Sequence, residues 1–232
     1  MIGRIYLIPV TLGSDDFSGV IPEKVIDITK SLRFFIVEEL RSARRYLRTI
    51  DKNFPIDDSN FSILNEHTPD NEIETFLESV FRGYDIGLMS EAGLPCIADP
   101  GSKIVSIAHK RSIKVIPLSG PSSIILALIA SGFNGQNFTF NGYLPIKPAD
   151  KTLKIKELEK KAKEGFTQIF METPYRNQQM FETIISVCNN EMSLCIAIDI
   201  TLPSETIRTL RISEWKKNKP VLKDRLAIFI LY

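Results

Sequence analysis

The chain has 232 residues, 44% of them apolar, which is enough for two ordinary globular domains with their own cores. Lys and Arg number 29 and Asp and Glu 28, so the net charge is +1. This balance excludes a protein that grips a long nucleic acid by overall charge, and any RNA partner must meet a local basic patch.

Cysteine usage and the apolar runs bear on the compartment. The three cysteines form no C-x-x-C pair, so neither a disulfide framework nor a metal site is predicted. The first residues lead into a short apolar strand without a signal-peptide pattern. The longest apolar run, Ile124–Ala130, is too short to span a bilayer. The sequence therefore predicts a cytoplasmic protein without membrane contact.

Strand-like and helix-like segments alternate in the first half. The predicted strands are short apolar runs: Arg4–Val10, Phe34–Val37, Phe61–Leu64, Asp85–Met89 and Lys114–Leu118. The predicted helices carry apolar residues at helical spacing: one beginning near Pro22, then Ser42–Ile50, Asn71–Arg82 and Ser102–Lys110. Asn71–Arg82 is the clearest of them, with Asn71 as its cap. This rhythm predicts a parallel sheet with helices on both faces.

The second half has a different composition. Lys147–Lys163 is predicted as a charged helix with a solvated face, and Tyr175–Cys188 as another helix. Four strands are predicted in this half of the chain: Thr167–Met171, Leu194–Asp199, Thr206–Arg211 and Leu226–Leu231. The second and third of these flank a short turn with Pro203 and form a plausible antiparallel pair. We expect a two-domain α/β protein, with a Rossmann-like parallel-sheet domain at 1–118 and a mixed-sheet domain at 119–232.

Loops at the carboxyl ends of parallel strands line the ligand crevice of such folds. Four segments occupy these positions: Thr11–Gly19, Glu38–Arg41, Ser90–Gly101 and Ser119–Ser123. The third is the most informative, because an ordinary strand-to-helix connection needs only a few residues. Gly93 and Gly101 permit close backbone approach there, and two prolines stiffen the loop. Neither G-x-G-x-x-G nor G-x-x-x-x-G-K-[ST] is present, which argues against dinucleotide oxidoreductases and P-loop phosphotransferases.

Seven segments match the motifs of one family in collinear order: Pro9–Asp16, Val37–Arg41, Asn65–His67, Ser90–Gly101, Ser119–Ser123, Gly142–Pro145 and Glu172–Arg176. Ser90–Gly101 is a nearly intact S-D-A-G-x-P-x-I-S-D-P-G. The chain thus resembles the tetrapyrrole methylase superfamily of S-adenosylmethionine-dependent methyltransferases, over nearly its whole length. The nearest branch 2′-O-methylates a cytidine in small-subunit ribosomal RNA.

The resemblance implies that S-adenosylmethionine binds in a cleft between the two domains, and that the protein is a homodimer. Carried over by position, the cofactor-binding residues are Ser90, Glu91, Ala92, Gly93, Ile97, Ser122, Ser123 and Met171. Such a site suits the ligand, because adenine favours apolar walls with backbone donors and the sulfonium tolerates no nearby cation.

Methyl transfer depends mostly on alignment, and a ribose hydroxyl also benefits from a base within hydrogen-bond reach. The predicted catalytic residues are Glu39, Glu66 and His67, with Glu172 as a further candidate. Glu38 or Glu39 can equally well pair with Arg41, and a lone histidine is often a plain surface residue.

Departures from the family pattern concern the acceptor more than the cofactor. The first loop has Ser14 where the family has asparagine, and Asn65 replaces a histidine. Ile198 and Leu202 replace an arginine and a lysine, which removes charge-assisted contacts if those groups meet RNA phosphate. The branch's C-terminal extension is not found after Tyr232. Three functions stay open: an RNA methyltransferase, a methyltransferase for a small molecule or protein, and a cofactor binder without turnover.

Overall fold

Two five-stranded sheets organise the chain, and a computed structural model describes residues 2–232 except the side chain of Asp70. The residues up to Ser122 form one unit around the first sheet, and Ser123–Tyr232 form a second unit around the other. The division falls slightly after residue 118, where the sequence analysis placed it.

The first sheet is entirely parallel, as predicted. Its strands are β1 (Arg4–Leu7), β2 (Phe34–Val37), β3 (Asn60–Ile63), β4 (Ile86–Met89) and β5 (Lys114–Pro117). Their order is β3-β2-β4-β1-β5. All four residues of β4 are buried, because helices cover both faces of a central parallel strand.

Helices connect these strands: α1 (Glu23–Ser31), α2 (Leu40–Ile50), α3 (Asp70–Ile73), α4 (Glu78–Phe81) and α5 (Gly101–Lys110). The connection from β1 to β2 runs towards one edge of the sheet, and the connection from β4 to β5 runs towards the opposite edge. The neighbouring strands β1 and β4 therefore form a topological switch point, which is where open α/β sheets bind ligands.

The prediction of one continuous helix at Asn71–Arg82 is wrong. A 3-10 turn at Glu74–Leu77 separates α3 from α4. Ile73, Leu77 and Val80 are all buried, and the tighter turn keeps these side chains on the core side. Asn71 is not the cap either: the cap position is Pro69, whose backbone is extended with a ψ of 139°.

The second sheet is mixed. Its strands are β6 (Phe138–Tyr143), β7 (Thr167–Met171), β8 (Ser193–Ile198), β9 (Thr206–Arg211) and β10 (Ala227–Leu231), in the order β6-β7-β10-β8-β9. The predicted antiparallel pair is confirmed as β8 and β9. Four helices accompany this sheet: α6 (Ser123–Ser131), α7 (Pro148–Lys163), α8 (Asn177–Val187) and α9 (Ile212–Trp215).

The edge strand β6 was not predicted. It pairs in parallel with β7, and its register shifts between Phe140 and Tyr143. Asn141 and Gly142 lie at this irregularity, and Gly142 has a φ of +61°. An Asn-Gly pair is a turn signal in a sequence, so it conceals a strand that contains a bulge.

Among residues 2–232, none of the helices has both the length and the apolar composition that a membrane span requires.

Candidate functional site

A cavity of about 190 Å³ lies at the carboxyl edge of the first sheet. The loop after β1, one side of α2 and the turn after β4 line it, including Thr11, Ser14, Asp15, Ser42, Tyr46 and Glu91. Because β1 and β4 are the strands of the switch point, the fold places this cavity where a ligand is expected.

Two long-range hydrogen bonds fix the cavity walls. The backbone N–H of Val10 donates to the carbonyl oxygen of Gly93 at 2.9 Å, which joins the loops after β1 and β4. The hydroxyl of Tyr46 donates to the carbonyl oxygen of Pro9 at 3.0 Å, which ties α2 to the end of β1. Burial raises the pKa of Tyr46, so this hydroxyl stays neutral and keeps donating.

The loop Ser90–Gly101 is organised around one carboxylate. Asp99 accepts the backbone N–H of Cys96 at 2.8 Å and that of Gly101 at 2.7 Å. Cys96 and Ala98 have φ values of 71° and 61°, in the left-handed region that non-glycine residues rarely adopt. Such residues cost roughly 1–3 kcal/mol each and concentrate at functional sites, so this loop has the character of a binding loop.

Gly93 is the fourth residue of this loop and has a φ of +71°. A Cβ atom there would lie 3.1 Å from Cδ2 of Leu12 and 3.3 Å from the carbonyl oxygen of Pro121. The positive φ and these close neighbours in the first unit therefore both disfavour a side chain at this position, whatever the loop binds.

The chemistry of this loop fits the cofactor that the sequence predicts. Residues 90–101 include two acids, Glu91 and Asp99, and no Lys or Arg, which suits a sulfonium cation. Ala92 and Ile97 are exposed, the latter by 42%, and offer apolar surface. An adenine ring is bound by such surfaces.

The two carboxylates after β2 have opposite environments. The Glu38 carboxylate is half-buried and accepts the backbone N–H of Glu91 at 3.2 Å. Desolvation, aided by the charges of Asp99 and Glu91, raises the pKa of Glu38. Glu39 instead caps α2 by accepting the N–H groups of Arg41 and Ser42 at 2.8 and 2.6 Å. These bonds lower the pKa of Glu39.

The predicted acid Glu66 and base His67 lie on the surface after β3. Their side chains are 85% and 84% exposed, and His67 Nε2 lies 3.5 Å from a Glu66 carboxylate oxygen. The structure thus brings Glu38 next to the turn after β4, whereas Glu39 caps α2 and Glu66 and His67 face solvent. The sequence analysis did not place Glu38 among the catalytic residues, and only its burial distinguishes it from Glu39.

The remaining predicted cofactor residues occupy identifiable places in the two units. Ser90 and Glu91 line the cavity, and the buried Ser122 ends the first unit. In the second unit, Ser123 opens α6 and Met171 ends β7.

Directly after Met171, the second unit contains a buried ion pair. The Glu172 carboxylate accepts from the Arg176 guanidinium at 2.7 Å, and the Glu172 side chain is fully buried. Its Oε2 atom and Nε of Arg176 are buried without a hydrogen-bond partner among the described residues. Buried polar atoms normally have partners, so these two atoms are exceptions within the second unit.

A second cavity, of about 310 Å³, lies beside β8 and β9 in the second unit. It contains Trp215 and Arg208, whose guanidinium carbon lies 5.9 Å from the indole ring centre. None of the predicted site residues lines it.

In the part of the chain that the structure describes, no group of three His, Cys, Asp or Glu side chains is arranged to hold a metal ion.

Comparison with known families decides the class of protein. Residues 7–215 match the model of the family described as Tetrapyrrole (Corrin/Porphyrin) Methylases. The chain belongs to the tetrapyrrole methylase family. It is a methyltransferase of two α/β units, as the motifs indicated, and S-adenosylmethionine use is general in this class.

Several curated relatives of the chain carry the same name. "Ribosomal RNA small subunit methyltransferase I" of Vibrio cholerae is 30% identical over 210 residues, which cover 90% of this chain and 69% of the relative. The protein of that name from Escherichia coli O157:H7 is 28% identical, with 91% and 70% covered. The Buchnera aphidicola protein is 28% identical, with 99% and 79% covered.

A solved structure shares the fold at much lower sequence identity. The crystal structure of the methyltransferase CobJ superimposes with a TM-score of 0.63 and 14% identity, covering 99% of this chain and 93% of that one. A likeness of this kind establishes the tetrapyrrole methylase fold and leaves the substrate to the site.

Proposed function

We propose that this tetrapyrrole methylase transfers the methyl group of S-adenosylmethionine to a ribose 2′-hydroxyl of small-subunit ribosomal RNA. One observation carries the proposal: relatives named for that RNA align over about 90% of the chain. We further propose that it works as a homodimer in the cytoplasm, with the cofactor between its two domains.

Bound cofactor supplies an electrophilic methyl group. The residues that would hold it are those predicted from the motifs, chiefly the loop Ser90–Gly101, with Ser122, Ser123 and Met171. The strain and hydrogen bonding of that loop support a rigid, preformed binding surface. The protein's own task is then to orient the acceptor hydroxyl and to accept its proton.

We look for the proton acceptor among the titratable side chains of the loops after β2 and β3. Glu39, Glu66 and His67 are the predicted candidates, and the geometry adds Glu38. A base works best when its pKa lies near the working pH. The raised pKa of Glu38 meets this requirement better than the lowered pKa of Glu39, whose oxygens already accept two α2 amides.

Transfer of labelled methyl groups tests the proposal. Purified protein is incubated with methyl-labelled S-adenosylmethionine and small ribosomal subunits from a strain that lacks this enzyme class. We expect label in the RNA and none in subunits from the methylating parent strain. Label that enters only the small-molecule or protein fraction of a cell extract would favour the alternative substrates. Cofactor binding without any transfer would favour the binder.

A further inference from the structure

Four arginines share the exposed face of α2: Arg41, Arg44, Arg45 and Arg48. Their spacing of three and four residues places them in a stripe about 100° wide at 3.6 residues per turn. The buried face of the helix lies opposite, and α2 contains no acidic residue. We call these four residues the arginine stripe.

Within the described residues no ion pair neutralises the arginine stripe, although the charge of the adjacent Glu39 acts on Arg41. Among the carboxylates that the structure describes, none forms an ion pair with its guanidinium groups, whereas Arg4, Arg111 and Arg211 are each paired with an acid. The nearby Glu39 carboxylate is directed to backbone amides of α2. The stripe is therefore a strong local positive patch in a chain of net charge +1.

Two of the four side chains have contacts of their own. The Arg44 guanidinium lies over the Phe61 ring at 5.4 Å, and Arg48 donates to the carbonyl oxygen of Lys52 at 2.7 Å. Arg41 and Arg45 form no side-chain hydrogen bond with the residues that the structure describes. These two are consequently the ones best able to contact a ligand.

The arginine stripe borders the cavity at the sheet edge. Arg45 lines the cavity together with Ser42 and Thr49 from the same side of α2. Across the cavity lie the carboxylates of Asp15 and Glu91. Carboxylates repel phosphate and accept hydrogen bonds from hydroxyl groups. The cavity therefore suits a sugar, and the stripe beside it suits phosphates.

We propose that the arginine stripe binds successive phosphates of the RNA strand and places the ribose between them at the neighbouring cavity. The inference rests on the proposed function, because an RNA acceptor supplies both the phosphates and the sugar. From Arg41 to Arg48 the stripe is about 10 Å long, which is the axial rise of roughly three nucleotides of one strand.

Salt-dependent binding to small ribosomal subunits tests this placement. The variant Arg41→Gln/Arg45→Gln removes two exposed positive charges. Lys156→Gln/Lys160→Gln is its matched control, because it removes two exposed positive charges from α7 in the second unit. The variant Arg41→Lys/Arg45→Lys keeps the charge of the stripe. Cofactor affinity and melting temperature are measured for each protein.

Each lost phosphate contact lowers affinity and flattens the salt dependence by a known amount. For Arg41→Gln/Arg45→Gln we expect roughly 10- to 30-fold weaker binding at about 0.1 M salt. The slope of log K against log salt should fall in magnitude by about 1.4–1.8. The α7 control should stay within about twofold of the unsubstituted protein, the lysine variant should recover most of the affinity, and cofactor binding should not change.

Equal weakening by both charge-removing variants would overturn the inference, because only overall charge would then matter. Unchanged affinity of the stripe variant would overturn it too, while methylation of the subunits by the unsubstituted protein would leave the proposed function standing. If the unsubstituted protein neither binds nor methylates the subunits, the proposed function fails and the inference fails with it.

Discussion

The helices α2 and α7 both carry several positive charges but use them differently. The α7 lysines are distributed around the helix, and three of them pair with acids: Lys154 and Lys161 with Glu157, and Lys163 with Glu159, all within 2.9 Å. One lysine, Lys151, is buried. In α2 the charges form one stripe, and no carboxylate that the structure describes forms an ion pair with it. The arrangement of charges, more than their number, therefore identifies a binding surface.

The difference has an energetic side. Four like-charge neighbours at three- and four-residue spacing cost α2 roughly 1–2 kcal/mol in total. In α7, hydrogen bonds from Lys161 and Lys154 lower the pKa of Glu157 to about 2, so its ion pairs persist into acid. A stability cost that no ion pair among the described residues offsets is typical of functional sites.

Substitution at the N-terminal end of α2 is expected to have the largest effect. If Glu38 accepts the proton, Glu38→Gln should lower turnover by about 10²-fold or more while leaving cofactor affinity unchanged. Glu39→Gln is the matched control, because it removes the adjacent carboxylate and weakens only the α2 cap. Single-turnover methylation rates check this. A larger loss of turnover in Glu39→Gln would instead support the sequence-based assignment of the base.

The same pair of variants should change the melting temperature in opposite directions. Burial holds the folded-state pKa of Glu38 above its ordinary value of 4.5, so the ionised form is disfavoured by folding. Stability is therefore lost as pH rises from about 4.5 through the raised pKa, and Glu38→Gln should melt higher than the unsubstituted protein above that window. Glu39→Gln should melt lower at neutral pH. Melting curves between pH 4 and pH 8 check both signs.

A smaller effect is expected at the buried face of α2. Tyr46→Phe removes the buried hydrogen bond to Pro9 and should cost about 0.5–1.5 kcal/mol of unfolding free energy. It should also weaken RNA binding by a few-fold, since α2 is then less firmly placed beside the cavity. Tyr84→Phe is the control, because its ring is half exposed. Equal stability of the two variants would count against the Pro9 contact as a cavity support.

The smallest effect is expected in α7. Glu157→Gln releases Lys154 and Lys161 from their ion pairs and raises the net charge of the helix by one. Surface ion pairs contribute little, so the melting temperature should barely change. RNA affinity should change by less than about twofold, since the added charge lies outside the stripe. A gain in affinity as large as the loss in the stripe variant would remove the contrast between the two helices.

The sequence predicted much of this architecture because its signals are local. Apolar runs such as Phe34–Val37 and Thr167–Met171 matched their strands, and the helical spacing in Ser42–Ile50 identified the buried side of α2. Prediction failed where tertiary packing changed the local pattern. Core packing required a 3-10 turn inside Asn71–Arg82, and a bulge concealed β6 behind an Asn-Gly pair.

Within the candidate site, the motifs located the loops but not the roles of individual side chains. Adjacent Glu38 and Glu39 are chemically identical in the sequence, and only burial and hydrogen bonding in the fold distinguish a raised pKa from a lowered one. The sequence likewise shows four arginines at helical spacing in the arginine stripe. Its significance depends on the lack of acidic partners among the described residues, which a sequence alone does not reveal.

The most direct test of the central claim is nucleoside mass spectrometry of small-subunit RNA after reaction with the purified protein and S-adenosylmethionine. The account predicts one new 2′-O-methylated nucleoside in RNA from subunits that lacked the modification. The amount of this nucleoside should increase with the amount of enzyme and the reaction time. RNA that remains unmethylated, while the protein binds the cofactor normally, would contradict it.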